Sequence, residues 1–119
     1  YGPYSSSQAQ INNGAVNGTL DIGVQARGTC TCNYFNGTMD ELRVWNTVRT
    51  AAQIRSNMYQ TISGTTANLV AYYNFDNGTA GGTNTGVTTL SDQTANANNG
   101  TLTGFSLTGT ASNWVQSTA

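Results

Sequence analysis

Five Asn-Gly pairs, at Asn13-Gly14, Asn17-Gly18, Asn36-Gly37, Asn77-Gly78 and Asn99-Gly100, punctuate a chain of 119 residues. Asn and Gly both tolerate positive φ, so each pair predicts a two-residue hairpin turn and confines the segments between them to short strands. Thr, Asn, Ser and Gly contribute 20, 15, 9 and 14 residues, nearly half the chain, which fits polar-faced strands joined by many turns. Leu, Ile, Val and Phe total only 20, a level that borders on disorder. Disorder also calls for high net charge, whereas the formal charge is -1 and eight Tyr and Trp residues add apolar surface. The expectation is a thin-cored all-β domain. The last four Asn-Gly pairs continue into Thr, so Asn17, Asn36, Asn77 and Asn99 also satisfy the N-x-S/T acceptor rule for glycosylation. Both readings stand, and a mass spectrum without hexose ladders would remove the glycan one.

Four Arg, five acidic residues, no Lys and no His give no basic footprint for nucleic acid or for an anionic membrane surface. No apolar run approaches the roughly 18 residues of a membrane span, and no basic-then-apolar leader opens the chain. The chain starts at Tyr1, and the expectation is a processed product or a piece of a longer protein. Without His, neither Ser/His nor Cys/His nucleophile pairs can be assembled, and zinc loses its usual nitrogen ligand. Without Lys there is no Schiff base and no Lys-Asn isopeptide staple. Asp21, Asp40, Glu41, Asp76 and Asp92 are the only acids. High Thr and Asn with no Lys suit an extracellular or cell-surface protein.

From Asn17 the string NGTLDIGVQ places Leu20, Ile22 and Val24 on one side and Asp21, Gly23 and Gln25 on the other, the alternation of a half-buried strand. RGTCTCNYFNG reads as a polar loop. In GTMDELRVWN, Met39 has the opposite parity to Leu42 and Val44, which predicts a β-bulge at Asp40-Glu41. Thr50 and Gln53 then form a capping box, and Ala51, Ile54 and Met58 recur at helical spacing, predicting one short helix over about residues 50–59. NLVAYYNFDNG predicts a strand with Leu69, Ala71, Tyr73 and Phe75 on one face and Val70 and Tyr72 on the other. A long Gly/Thr/Asn loop leads to a short strand, GTLTGF, and to the apolar pair Trp114-Val115, after which the last four residues are expected to fray.

The string YFNGTMDELRVWNTVRTAAQI resembles the closing strand and helix of the bacterial LamG-like group in the concanavalin A-like lectin/glucanase superfamily, F-x-G-x-(I/M)-D-E-(V/L)-R-(I/V)-(W/Y)-N followed by a helix. LVAYYNFDNG and LSDQTANANNGTL resemble the opening of the same domain type, with Ala95 and Ala97 in place of two loop glycines. The resembling segments cover roughly Gly18 to Leu102 in inverted order, closing strand before opening strand, with the middle missing. The resemblance implies an antiparallel β-sandwich, a jelly roll in partial or permuted form. Residues 1–62 would be the C-terminal half of one LamG-like sandwich and residues 63–119 a following opening-strand segment packed in the same sandwich. Either the chain spans two units of a tandem protein, or it is a half-sandwich cap whose first and last family strands pair within it. Open edges of so small a sheet should be covered by neighbouring domains or copies.

For Asp40 the resemblance implies membership of a structural Ca²⁺ site. Asp76, Asp92, Asn98 and loop carbonyls would complete the six to eight hard oxygens that Ca²⁺ wants. The plainer reading is that Asp40 caps bulge amides and Asp92 forms an Asx-turn. Adjacent Asp40 and Glu41 point to opposite strand faces, and the E-x-D-x-x-E pattern of the superfamily's hydrolases is absent, so an enzyme is not expected. Arg43 is expected over the outer face, paired with an acid. Tyr34, Trp45 and Trp114 are candidate stacking platforms for sugar rings, with Tyr72 and Tyr73 as further aromatics, against a purely packing role. Cys30 and Cys32 form C-x-C, a spacing at which an intrachain disulfide is strained, leaving free thiols or pairing outside the chain open.

The resulting expectation is a non-catalytic extracellular recognition or adhesion module with a glycan or other cell-surface ligand, part of a larger secreted or surface protein. The alternative is a structural spacer or self-assembling filament subunit.

Overall fold

A computed structural model describes residues 20–27, 30–108 and 114–117, without the side chains of residues 25–27 and 30–32. The Asn-Gly turns at residues 13–14 and 17–18 and any pairing of Cys30 and Cys32 lie outside the described residues. Among the described residues, short antiparallel strands and one short helix make up the regular structure, which is compatible with an all-β fold. No helix among the described residues is long and apolar enough to cross a membrane. The chain divides into two compact units, residues 1–37 and 38–119.

In the first unit, β1 (Gln25–Arg27) pairs antiparallel with β2 (Cys30–Cys32), Ala26 opposite Thr31. The expected alternation through Leu20, Ile22 and Val24 does not form a buried strand. Gly23 takes φ of 81° and breaks the extended backbone between Ile22 and Val24, so Leu20 is left 65% exposed. The carbonyl freed at Gly23 accepts the Phe35 amide at 2.8 Å. The segment read as a polar loop thus supplies the second strand of a hairpin.

The second unit is built on β3 (Leu42–Trp45) and β4 (Leu69–Tyr73), linked through α1 (Ala51–Asn57). The β3/β4 register places Leu42 opposite Tyr73, Arg43 opposite Tyr72 and Val44 opposite Ala71, with a shift between Val44 and Trp45. These are the two segments that carry the family resemblance, and they are neighbours in one sheet. The boundary expected at residues 62/63 falls between them, inside this unit. The bulge expected at Asp40-Glu41 appears as a turn: Glu41 sits at φ of 53° just ahead of β3, its amide held by Asp40 Oδ1 at 2.9 Å. That left-handed residue resets the parity that Met39 breaks, while the register irregularity lies at the other end of the strand.

Ala71, Tyr73 and Leu90 form the buried cluster, with Leu42, Val44, Phe75, Leu102 and Trp114 packed around it. Tyr72, on the opposite face of β4, is also buried, so this strand is covered on both faces. Leu90 belongs to β5 (Thr89–Leu90), which pairs with β6 (Gly100–Thr101). β5 lies inside the stretch read as a Gly/Thr/Asn loop, too short and too polar to show as a strand, and the expected GTLTGF strand keeps only its first two residues.

The capping box forms as expected: Gln53 N donates to Thr50 Oγ1 and Thr50 N to Gln53 Oε1. The helix has the expected two turns, within the expected residues 50–59, and buries no residue, leaving Ile54 and Met58 exposed. None of the three described Asn-Gly pairs closes a two-residue hairpin between paired strands. Asn77 and Asn99 instead spend their carboxamides on cross-links. Asn77 bridges Ser91 through both its oxygen and its nitrogen, and Asn99 Oδ1 accepts the Asp92 amide.

Candidate functional site

The second edge of β4 is closed by side chains and one backbone amide of residues 92–98. Tyr72 N donates to Asp92 Oδ1 at 3.0 Å and Tyr72 O accepts Gln93 N at 2.8 Å, so both Tyr72 backbone groups point away from β3. The Val70 carbonyl accepts Asn96 Nδ2 and Asn98 Nδ2, with the Thr94 hydroxyl 3.3 Å away. Asp92 is the hub. Besides the Tyr72 amide, it takes the Thr94 amide on Oδ1 and the Thr94 hydroxyl and Asn98 amide on Oδ2. Burial alone would push its carboxyl up. The Thr94, Tyr72 and Asn98 amides and the Thr94 hydroxyl outweigh that and hold it below its ordinary value.

This arrangement decides whether the expected Ca²⁺ ligands fit a cation. Asp92 accepts four hydrogen bonds, which occupies the lone pairs of both oxygens. Asn98 commits its side-chain Nδ2 to the Val70 carbonyl, and its backbone carbonyl accepts the Tyr73 hydroxyl. Asp76 pairs with Asn74, and Asp40 with the Glu41 amide and the Ser117 hydroxyl. Among the described residues no three His, Cys, Asp or Glu converge. As placed, the four residues do not make a cage of hard oxygens; Asp92 makes the Asx-turn to Thr94 and Asp40 caps an amide.

On the outer face, Arg43 lies 5.5 Å over the Tyr72 ring. Its guanidinium pairs with Glu41 and donates to the carbonyls of Asn57, at 2.7 Å, and Gln60, tying β3 to the end of α1. The Tyr72 hydroxyl donates to both Glu41 oxygens, at 2.8 and 2.7 Å. Burial, then the Glu41 hydrogen bond and charge, raise the Tyr72 phenol above its ordinary value. Burial and the Asp92 charge do the same for Tyr73. Glu41 and Asp40 are thus each engaged by fixed partners, and neither faces a second free carboxylate.

Beside this network lies an open concavity of about 280 Å³, with Asp40, Glu41, Leu42, Arg43 and Trp45 on the β3 side and Arg49, Gln53, Ile54 and Asn57 on the α1 side. Arg49 stacks over the Trp45 ring with its guanidinium carbon 4.0 Å from the centroid. Asp40 and Trp45, expected as a metal ligand and a stacking platform, meet here. Trp114 is elsewhere: its indole packs on Gly78, where an added Cβ would come within 2.5 Å of the ring, and it belongs to the core periphery. Tyr34, in the first unit, is 71% exposed. Arg49, Gln53 and Asn57 escaped the sequence reading. The available signal was the four-residue spacing of Gln53 and Asn57, which sets those two in one row along α1, whereas Arg49 precedes the N-cap residue Thr50.

Comparison with protein-family models, with curated proteins and with solved structures gives no match to this chain.

Proposed function

We propose that the chain is part of a LamG-like antiparallel β-sandwich that serves as a non-catalytic recognition or adhesion module, secreted or displayed at a cell surface. In this reading the β3/α1 concavity receives a saccharide. The observation that carries it is the lining of the concavity: a Trp45 indole braced by Arg49 beside the carboxylate of Asp40 and the amide side chains of Gln53 and Asn57. Sugars offer apolar C–H faces to an aromatic ring and hydroxyls to planar polar groups, and this set supplies both. The neutralisation of Glu41 by Arg43 and Tyr72 favours binding over acid–base chemistry. Adjacency of β3 and β4 supports the sandwich, whose remaining strands would come from neighbouring domains.

A glycan array followed by calorimetry tests this. Saturable binding should weaken about tenfold, roughly 1.4 kcal/mol, in Arg49→Ala and in Asn57→Ala. Tyr34→Ala separates a second contact in the first unit from this one. An array without signal, or variants that bind like the parent, overturns the reading.

A second reading, a self-assembling structural subunit, draws on the outer edge of β3. Because Tyr72 turns its backbone groups outward, its partner Arg43 belongs to a non-hydrogen-bonded pair and points its own N–H and C=O away from β4. Those two groups meet no partner among the described residues. A second copy pairing antiparallel along β3 would satisfy them. Sedimentation at rising concentration should then show dimers; a monomer throughout removes this reading.

A further inference from the structure

Asn36, Asn77 and Asn99 share the same tripeptide, Asn-Gly-Thr, yet the fold treats them differently. The Asn77 carboxamide is pinned at both ends, Nδ2 to Ser91 Oγ at 2.8 Å and Oδ1 to Ser91 N at 3.2 Å, and Gly78 lies against the Trp114 indole. Asn99 Oδ1 holds the Asp92 amide at 2.9 Å, and Gly100 is fixed in β6 opposite Leu90. Asn36 is exposed, outside any strand or helix, and its carboxamide meets no partner among the described residues. Nor does the backbone N–H of Gly37. A Cβ on Gly37 would come within 2.7 Å of the tip of the Phe35 ring, which is 54% exposed and can swing aside.

We propose that Asn36 is a site of spontaneous chain modification, converting through a cyclic imide to aspartate and isoaspartate. The Gly37 nitrogen attacks Asn36 Cγ; the N–Cγ bond forms, the Cγ–Nδ2 bond breaks, and Nδ2 leaves as ammonia with the proton that Gly37 gives up. Solvent water then opens the ring at either carbonyl. Opening at one carbonyl leaves Asp. Opening at the other routes the main chain through the former side chain and lengthens it by a methylene. Glycine is the neighbour that permits this best, because it offers no Cβ to hinder the attack and reaches backbone angles other residues avoid. At Asn77 and Asn99 the same attack must first break the carboxamide's hydrogen bonds and swing it out of its cross-link.

Peptide mapping during incubation of the folded protein in mildly alkaline buffer, with fragmentation that distinguishes isoaspartate, tests the proposal. Asn36 should convert at least about tenfold faster than Asn77 and Asn99, the factor expected for roughly one net hydrogen bond to be broken. In denaturant the three identical tripeptides should converge on one rate, and Asn36→Gln should abolish the early product. Equal rates at the three sites in the folded protein overturn the proposal. So does a spread that survives denaturation, which would show that the fold does not set the order.

Discussion

Replacing Asp92 by Asn changes one oxygen to an NH₂ group in a site built for four acceptor contacts. Oδ1 keeps the amides of Tyr72 and Thr94, at 3.0 and 2.9 Å. The new Nδ2 confronts the Asn98 amide, formerly 2.9 Å from an oxygen, and the Thr94 hydroxyl, formerly at 2.8 Å. The hydroxyl can rotate to accept, whereas the Asn98 amide is left facing another donor. A charge-assisted bond is worth about 1.5–3 kcal/mol and a stranded buried donor costs a similar amount, so the net loss is about 2–3 kcal/mol once the hydroxyl's recovery is counted. A chain of this length has roughly 6 kcal/mol or more to lose, and this one lies near the lower end because no described side chain is fully buried. The thermal midpoint, read by circular dichroism, should fall by roughly 10 to 20 °C. A sign follows for pH as well. The folded-state carboxyl is held below its ordinary value, so its contribution is complete above the unfolded value of about 3.9 and fades as pH falls through the folded one. The parent should lose stability on acidification over that window, and Asp92→Asn should lack this part of the acid limb. A variant that melts within about 2 °C of the parent refutes the hub assignment.

Ala97 occupies φ of 52°, a region that suits glycine, so Ala97→Gly should raise stability by about 0.5–1 kcal/mol in urea titration, the relief of left-handed strain less the added unfolded-state freedom. Thr50→Ala removes the side-chain acceptor for Gln53 N; it should cost the helix about 1 kcal/mol but shift global unfolding little, because α1 buries no residue, as amide exchange confined to residues 51–57 would show. Tyr72 and Tyr73 are both raised above the ordinary phenol value, so the folded state holds those protons more tightly than the unfolded one. Their contribution is complete below the unfolded value of about 10 and is lost as pH rises through the folded values, and phenolate absorbance should show these two ionising above the ordinary phenol range in the folded protein.

Where a local rule met no competitor, the sequence was readable. Thr50 and Gln53 cap a helix because each side chain reaches the other's amide within four residues, and Leu69 to Tyr73 forms a strand because five consecutive residues are apolar and two carry β-favouring rings. Arg43 pairs with an acid over the outer face, as its place between Leu42 and Val44 suggests. The alternation at Leu20 to Val24 misled because one glycine between apolar residues can turn the backbone, which periodicity alone does not register. The Asn-Gly pairs misled for a related reason: an Asn side chain that can support a turn can equally bridge to a distant amide, and at Asn77 and Asn99 the bridge wins. A carboxylate near Asn-rich loops reads as an oxygen donor for a cation, whereas the three amides and one hydroxyl that Asp92 accepts come within reach only in the folded chain and leave no trace in the sequence. The concavity mixes residues from β3, α1 and the turns that precede them, and Arg49, Gln53 and Asn57 share no meaning until a strand lies beside them.

Throughout, β4 is held on both edges, by a strand on one side and by side chains and the Gln93 amide from residues 92–98 on the other, whereas β3 has a partner on one edge only among the described residues. Residue-resolved hydrogen exchange under native conditions reads that difference directly. The Tyr72 amide, bonded to a carboxylate rather than to a strand, should exchange as slowly as those of Ala71 and Tyr73, and the Arg43 amide much faster than that of Val44. A Tyr72 amide that exchanges as freely as Arg43 would contradict the account.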